Sequence, residues 1–325
     1  MKKTPLIIKT GSNDFLEFYS RKQLFEYFDK NRNTKTINII QWGNSISNWC
    51  NIIRSINGNN IKNITAIDIP ILKNIDYMFY DCKKLESINN IEKWDLSNVT
   101  DISWMFYNCY KFNANLSNWN VSNVTNMSCT FYNCYSFNSD LSKWNVSNVT
   151  DIVQMFFGAT NFNSDLSNWN VSNVTNMSYM FLKASNFNSD LSNWNVSNVT
   201  DMYGMFGDAT NFNSDLSNWN VSNVTNMSDM FHNCHKFNSN ISNWNVSNVK
   251  YMSNMFHNCH KFNSNISNWN ISNVINMAFM FYNCYNFNYD LSNWNLIDLE
   301  TFYNMFEGCK NPNTELLKIL KLRDL

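Results

Sequence analysis

The sequence has 325 residues, and its 24 Lys and Arg residues against 25 Asp and Glu residues give a formal net charge of −1. A charge this balanced disfavours nucleic acid and anionic membrane surfaces as partners. Apolar residues make up 44 % of the sequence and aromatic residues 16 %, a composition that excludes a disordered chain and predicts a large buried core.

The first ten residues contain one short apolar run, Pro5–Ile8. A signal peptide needs an apolar core of ~7–15 residues, and a membrane-spanning helix needs ~20 consecutive apolar residues. The sequence contains no run of the second length, and the N-terminal run is shorter than the first. We therefore expect no membrane span, and a chain that is either cytoplasmic or exported without a signal peptide.

The first predicted helix follows Ser20. Ser20 and Gln23 have the spacing of a capping box, and apolar residues on one side of the following segment predict an amphipathic helix that ends near Asn31. The segment has the character of the polar-faced cap that a repeat array needs at its end. The sequence thus predicts an N-terminal cap at residues 1–36 and an atypical first repeat at residues 37–63, which begins with a strand at Ile37–Trp42.

A strict tandem repeat governs most of the remaining chain, and we assign residues 64–311 to a repeat solenoid. One unit, such as Trp169 to Asn193, is too small to bury its own apolar side, so neighbouring units must stack and share one core. Two invariant columns carry the period: the Trp column is Trp94, Trp119, Trp144, Trp169, Trp194, Trp219, Trp244, Trp269 and Trp294, and the Phe column runs from Phe106 to Phe306.

Within one repeat, the alternation of apolar and polar residues predicts a short strand near Ser167–Val171. Apolar residues then recur at intervals of three and four from Met177 to Ala184, which predicts a short helical or 3₁₀ turn. The column of Asn173 and its equivalents is expected to bond turn backbone in its own or the next repeat. After the last repeat, Thr314 is a candidate cap for a second helix, so residues 312–325 are predicted to form a C-terminal cap.

The earliest repeat carries a family resemblance. Ile64, Ile67, Ile69 and Pro70 form IxxIxIP, and Ile75–Ile88 reads IxxMFxxCxxLxxI. This pattern resembles the BspA-like surface proteins, relatives of the leucine-rich repeats, and the later WNVSNVTNMSxMF units resemble the Trp- and Met-Phe-containing variant of that family. The resemblance implies a right-handed, leucine-rich-repeat-like solenoid used for adhesion or protein binding, and it implies no catalytic residues.

Most of the nine cysteines occupy one column of the repeat, which argues against disulfides and metal ligation. Ala159, Ala184 and Ala209 fill the same column in three repeats, so the position needs only a small buried group. We therefore expect reduced, structural thiols. The column consists of Cys82, Cys109, Cys134, Cys234, Cys259, Cys284 and Cys309.

The four histidines are confined to two consecutive repeats and support two interpretations. Stacking of the repeats would place His232 beside His257 and His235 beside His260, a group of imidazoles that would suit zinc, copper or nickel. Tyr occupies the same columns in other repeats, and the two units are near-identical, so recent duplication explains the pattern better. We predict no metal and no cofactor, with these four residues as the candidates if a metal binds.

Acidic residues also form a column, at Asp140, Asp165, Asp190 and Asp215. Carboxylates on neighbouring repeats would suit calcium binding or acid–base chemistry. Asn replaces Asp in this column elsewhere, and no Arg occurs between residues 94 and 293, so we favour a solvated turn residue.

The columns after the Met-Phe pair vary between repeats, which is where an individual function would be written. Tyr107, Tyr110, Tyr132 and Tyr135 should lie on adjacent repeats and form an aromatic surface, with Tyr282 and Tyr285 as a separate pair. We expect a non-enzymatic, monomeric scaffold for protein–protein interaction, whose protein partner the sequence does not identify. The alternatives are a structural or adhesive protein that self-assembles and, more distantly, a metal-binding protein.

Overall fold

The computed structural model describes residues 5–10, 15–31, 33–41, 61–66, 75–310 and 316. The chain divides into two compact units, Met1–Ser164 and Asp165–Leu325, and each is described by itself. Ile67, Ile69 and Pro70 of the predicted first module lie outside the described residues, as does most of the predicted cap at 312–325.

The first unit begins with a mixed five-stranded sheet. Its order is β2-β1-β3-β4-β5, with β1 antiparallel to β2 and β3, and with β3, β4 and β5 parallel. Ile37 pairs with Ile64 and Ile64 with Ile88, so buried Ile side chains from three strands line up across the sheet. The strands are β1 Leu6–Lys9, β2 Leu16–Phe18, β3 Thr36–Gln41, β4 Asn63–Ala66 and β5 Ser87–Asn89.

Helix α1 spans Arg21–Lys30, and the prediction of a helix after Ser20 is confirmed. The Ser20 hydroxyl accepts a hydrogen bond from the backbone N–H of Gln23 (3.3 Å), and the Gln23 side chain accepts one from the backbone N–H of Tyr19 (2.9 Å). The first bond is that of a capping box, and the second reaches Tyr19, one residue before the N-cap. Strand β3 likewise confirms the strand predicted at Ile37–Trp42, although its described extent ends at Gln41.

Neighbouring repeats pair through single-residue parallel bridges. In the first unit, Asp101 pairs with Asn126 and Asn126 with Asp151. In the second unit, the same column forms a longer series of bridges, each between residues one repeat apart: Asn176, Asp201, Asn226, Tyr251, Asn276 and Thr301. The tandem repeat is therefore real, but from Asp101 onward the described sheet-like pairing is limited to one residue per repeat.

The strand predicted near Ser167–Val171 is wrong, because this segment pairs with no strand and lies between turns at residues 167–168 and 172–173. The backbone N–H of Trp169 donates to the carbonyl of Leu166, and that of Val174 donates to the carbonyl of Val171, both at 3.0 Å. The side chain of Asn170 accepts from the backbone N–H of Ser172 at 3.1 Å, an Asx turn that competes with strand pairing. The alternation of Trp169, Asn170 and Val171 thus reflects consecutive turns.

The predicted helical turn is also wrong. Tyr179 and Lys183 have φ angles of 59° and 64°, and left-handed residues interrupt a right-handed helix. The backbone N–H groups of Tyr179 and Phe181 donate to carbonyls of the next repeat at 2.8 Å, and not to residues four positions earlier. The three- and four-residue spacing of the apolar side chains arises here from linked turns, which bury the same residues that a helix would bury.

The predicted right-handed, leucine-rich-repeat-like solenoid with helical caps, one strand and one helical turn per repeat is therefore wrong: in the described residues the N-terminal end is a mixed sheet with one helix, and the later repeats consist of turns. Apart from Leu316, the described helical residues belong to α1 and to one 3₁₀ turn, Ile91–Lys93. Helix α1 also contacts the sheet through Tyr27, whose ring meets Phe18 edge-on at 5.7 Å. The architecture is a mixed sheet followed by turn-rich repeats.

Burial of the Trp column is confirmed. The Trp194 side chain is 3 % exposed, and its indole N–H donates to the carbonyl of Leu166 at 2.9 Å. Its ring stacks on that of Trp219 with centroids 6.5 Å apart. Because a buried carbonyl needs a donor, the indole supplies both apolar area and a hydrogen bond between repeats.

The Asn column behaves as predicted, and the described members of the Cys column are buried except for half-buried Cys309. The side-chain amide of Asn198 donates to the carbonyl of Ser172 in the preceding repeat at 2.7 Å. Cys234 is fully buried as a free thiol, and its Sγ–H donates to the carbonyl of Phe206 at 3.0 Å. Burial raises the pKa of this thiol well above its ordinary value.

Candidate functional site

The first unit presents a continuous ladder of aromatic rings. We define the aromatic ladder as Tyr80, Tyr107, Tyr132 and Phe157. Their stacked rings have centroid separations of 4.8, 4.4 and 4.2 Å in that order. A parallel pair, Tyr110 and Tyr135, stacks beside it at 4.9 Å.

Backbone contacts between repeats set this spacing. The backbone N–H of Asn108 donates to the carbonyl of Tyr132 at 2.8 Å, and its φ of 59° places it in the left-handed region that Asn tolerates. The Asn133 side chain then donates to that of Asn108 at 2.9 Å. An amide ladder therefore runs alongside the aromatic ladder and holds neighbouring turns in register.

The sequence prediction brought the four N-terminal tyrosines together correctly but missed part of the surface. Tyr80 and Phe157 extend the ladder at its two ends, and Trp104 contacts Tyr107 at 4.9 Å while stacking on Tyr77 at 5.5 Å. Phe157 occupies the same column of the repeat as Tyr132 and could have been found. Tyr80 lies outside the register of that column, because the first repeat is longer than the others.

The ladder tyrosines are only partly exposed. Tyr135 is 41 % exposed, whereas Tyr107, Tyr110 and Tyr132 are half-buried. Burial, followed by the proximity of Tyr132 and Tyr80, raises the pKa of Tyr107 to about 12. Its hydroxyl therefore stays protonated at neutral pH, and the surface offers rings and neutral hydroxyls.

The second unit carries a mixed imidazole and phenol ladder. His232 stacks on His257 at 4.6 Å, and His257 stacks on Tyr282 at 4.7 Å. His260 stacks between His235 at 4.7 Å and Tyr285 at 4.9 Å. Tyr282 and Tyr285, predicted as an outpost separate from the N-terminal tyrosines, each continue a histidine stack.

The histidine geometry serves stacking more than ligation. Among the described residues, no group of three or more His, Cys, Asp or Glu side chains could hold a metal ion. His235 Nδ1 donates to the carbonyl of Asn258 at 3.0 Å, and His232 Nδ1 lies 3.2 Å from Asp229 Oδ1. Burial and then the neighbouring His232 lower the pKa of His257 to about 4, which keeps that ring neutral.

Comparison with known families identifies the repeat. Residues 47–162, 139–228 and 211–319 each match the family described as Mycoplasma protein of unknown function, DUF285. The chain belongs to the DUF285 family. No curated protein matches the sequence.

Two other features of this DUF285 chain concern candidate sites. The Asp140 and Asp215 carboxylates each accept a hydrogen bond from the backbone N–H two residues later, at 2.9 Å. The side chain and then the backbone of Ser142 lower the pKa of Asp140, and the backbone and then the side chain of Ser217 lower the pKa of Asp215, as expected of solvated turn residues. Among the described residues, no helix combines the length and hydropathy needed to cross a membrane.

Proposed function

We propose that this DUF285 chain is a non-enzymatic protein-binding repeat protein, and that the aromatic ladder with Tyr110 and Tyr135 is its contact surface. One observation carries the proposal: stacked, partly exposed tyrosines form a continuous series across neighbouring repeats. Tyrosine supplies a large contact area and a polar hydroxyl, and it is enriched among the residues that dominate binding energy at interfaces.

Preorganisation supports the same proposal. A ring that is free in solution loses rotational freedom when a partner binds, at a cost of about 0.5–1.5 kcal/mol for a flexible side chain. Tyr107 and Tyr132 are already stacked on each other and on their neighbours, so much of that cost has been met during folding. A partner would meet a fixed surface whose spacing is set by the repeat.

We propose no enzymatic activity for this surface, because its hydroxyl and thiol groups are poorly suited to catalysis. Burial raises the pKa values of the Tyr107 and Tyr132 hydroxyls, which keeps both protonated and weakly nucleophilic. Cys129, a neighbouring thiol, has a pKa raised to about 12 by burial and then by Asp151. None of these three groups has the lowered pKa that an activated nucleophile needs.

Kinship with the BspA-like proteins is part of the proposal. It is supported by the IxxMFxxCxxLxxI pattern at Ile75–Ile88 and by the tandem repeats of the DUF285 family. Ile75, Met78, Phe79, Cys82 and Leu85 are all fully buried, so this pattern corresponds to the inner positions of the turn-rich repeat. Adhesion through protein contacts would be the corresponding function.

A capture experiment with two variants tests the proposal. The full chain is immobilised and exposed to lysate of its native host, and retained proteins are quantified by mass spectrometry. Loss of four stacked rings should abolish retention of a partner that the parent binds, while a control that removes exposed tyrosines elsewhere should retain it. The test variant carries Ser at Tyr107, Tyr110, Tyr132 and Tyr135, and the control carries Ser at Tyr251, Tyr289 and Tyr303, which are 43 %, 36 % and 58 % exposed.

Circular dichroism and sedimentation complete this experiment. Each aromatic pair contributes about 0.5–1.5 kcal/mol, so the test variant should unfold at a modestly lower temperature but remain folded at the assay temperature. A parent that retains no protein, or a folded test variant that binds as the parent does, would contradict the proposal. Concentration-dependent assembly of the parent, absent in the test variant, would instead support self-association through the ladder.

A further inference from the structure

In the second unit, the repeat position equivalent to the aromatic ladder includes a glycine. Leu182, Gly207 and His232 occupy this column in three successive repeats, so a position with no side chain lies between two larger ones. A second glycine, Gly204, lies three residues earlier, in the column that holds Tyr179 and Asp229 in the neighbouring repeats. Gly204 lines a cavity of 220 Å³, and the wall of this cavity includes Leu182 and His232, the neighbours of Gly207 in its column.

Aromatic and apolar groups form part of the cavity wall. The rings of Tyr179 and Tyr203 meet edge to face at 4.8 Å, with an interplanar angle of 90°. Leu182 lies at the wall as well, and a Cβ added to Gly207 would approach its Cδ1 to 2.6 Å. The space beside Gly207 is therefore bordered by an alkyl side chain.

Two carboxylates give the cavity a negative character. Asp208 Oδ1 accepts a hydrogen bond from the neutral side-chain amide of Asn233 at 2.6 Å, and Asp229 Oδ1 lies 3.2 Å from His232 Nδ1. None of the described residues that line the cavity is Lys or Arg. The site thus combines carboxylate charge with tyrosine rings, and both attract cations.

We propose that this cavity binds a primary alkylammonium group, supplied by a lysine side chain or by a free amine. The ammonium would lie by Asp208 and Asp229, close to the rings of Tyr179 and Tyr203, and the alkyl chain would contact Leu182. The cavity has the volume of roughly seven water molecules and is smaller than the ~300 Å³ of typical sites for drug-sized ligands, so it suits one side chain. A hard metal ion needs about six oxygen ligands, and the cavity wall supplies two carboxylates, from Asp208 and Asp229.

Binding of n-butylammonium to the full chain tests the proposal. Isothermal titration at low ionic strength should give saturable binding that weakens as salt is added, whereas n-butanol, the neutral analogue, should not bind. Nα-acetyl-lysine amide and cadaverine serve as further probes, and tighter binding of one or the other identifies a peptide or a free amine as the source. Absence of n-butylammonium binding, or equal binding of n-butanol, would overturn the proposal.

The chain provides matched variants for this titration. In the variant with Asp208→Asn and Asp229→Asn, affinity for n-butylammonium should fall about tenfold or more, while the fold is kept. Asn already occupies these columns at Asn233 and Asn254, with the same left-handed φ. Asp215→Asn, a change in an exposed turn carboxylate, is the control and should leave affinity unchanged.

A second variant blocks the cavity without altering its charge. Gly207→Leu introduces the side chain that Leu182 already supplies in the preceding repeat, and Gly207 does not have a left-handed φ. Leu182 must rotate, and the remaining space should be too small for the probe. A variant that melts as the parent does and still binds n-butylammonium would place the ligand elsewhere. The cavity lies in the second unit, so failure of this test leaves the aromatic ladder proposal unaffected.

Discussion

Trp194 provides the most direct test of how the repeats are held together. Replacement by Ala removes a ring that is 3 % exposed and stacked on Trp219, and it also removes the donor to the carbonyl of Leu166. Large-to-small changes of this kind cost about 3–5 kcal/mol, and an unsatisfied buried carbonyl costs about 1–3 kcal/mol. Because water reaching the new cavity can partly satisfy the carbonyl, we expect a loss of about 4–5 kcal/mol.

Two further variants separate the contributions. Trp194→Phe keeps an aromatic ring but removes the donor, so it should cost about 1–3 kcal/mol. Cys234→Ala removes a thiol that donates to the carbonyl of Phe206, but Ala209 already occupies the same column in the preceding repeat. We expect this change to cost less than about 1 kcal/mol, since an S–H group is a weak donor.

Urea denaturation followed by circular dichroism measures these differences. A chain with two compact units need not unfold in one step, so the midpoint of each transition is compared between variants at constant slope. The order of stability should be parent, Cys234→Ala, Trp194→Phe and Trp194→Ala. Equal midpoints for Trp194→Ala and Cys234→Ala would refute the view that the Trp column joins the repeats.

Three other predictions concern single side chains. Lys183 has a φ of 64°, so Lys183→Asn should stabilise the chain by up to about 1 kcal/mol in thermal melts, while Lys183→Ala, which keeps the left-handed strain, should not. The pKa of His257 is lowered to about 4, so as pH falls from 6.5 towards 4 the unfolded state takes up a proton before the folded state does, and the parent should lose stability relative to His257→Tyr. A difference in unfolding free energy between parent and variant that stays constant from pH 7 to pH 4 would contradict the burial of that imidazole. In a variant that carries Cys50→Ser, a thiol reagent at pH 8 should modify half-buried Cys309, whose pKa is raised to about 11, before it modifies fully buried Cys234. Peptide mapping gives the order of modification, and the reverse order would contradict the burial of Cys234.

The buried columns could be predicted from the sequence, whereas the backbone could not. An apolar residue that recurs at a fixed period must share an environment with its equivalents, so burial of Trp194 and Cys234 followed directly. The spacing of Met177, Met180 and Phe181 fits a helix and a series of linked turns equally well. The decisive difference is the left-handed φ of Tyr179, and a tyrosine gives no indication of it in a sequence.

Positive φ angles recur at a second position of the repeat, four residues after that of Tyr179, and this position could have been recognised from the sequence. Apart from Lys183, it holds residue types that tolerate a positive φ, among them Asn133, Gly158, Asp208 and Asn233, so it could have excluded the helical turn. In the candidate site, the stacking of Tyr107 on Tyr132 followed from the period alone. The partial burial of these rings could not be predicted, because it depends on how closely neighbouring turns approach each other.

The contacts between repeats have an evolutionary consequence. In the second unit, the N–H of each Phe from Phe181 to Phe281 in the Phe column donates to a Met carbonyl of the next repeat, as in Phe206 to Met230. Loss or gain of one whole repeat would therefore bring an equivalent donor to an equivalent acceptor, whereas a block shorter by a single residue would misplace every contact that follows. Residues 231–245 and 256–270 are identical, as unequal recombination between neighbouring repeats would leave them. A gene of this kind can change its number of repeats in a single event and still encode a chain that folds.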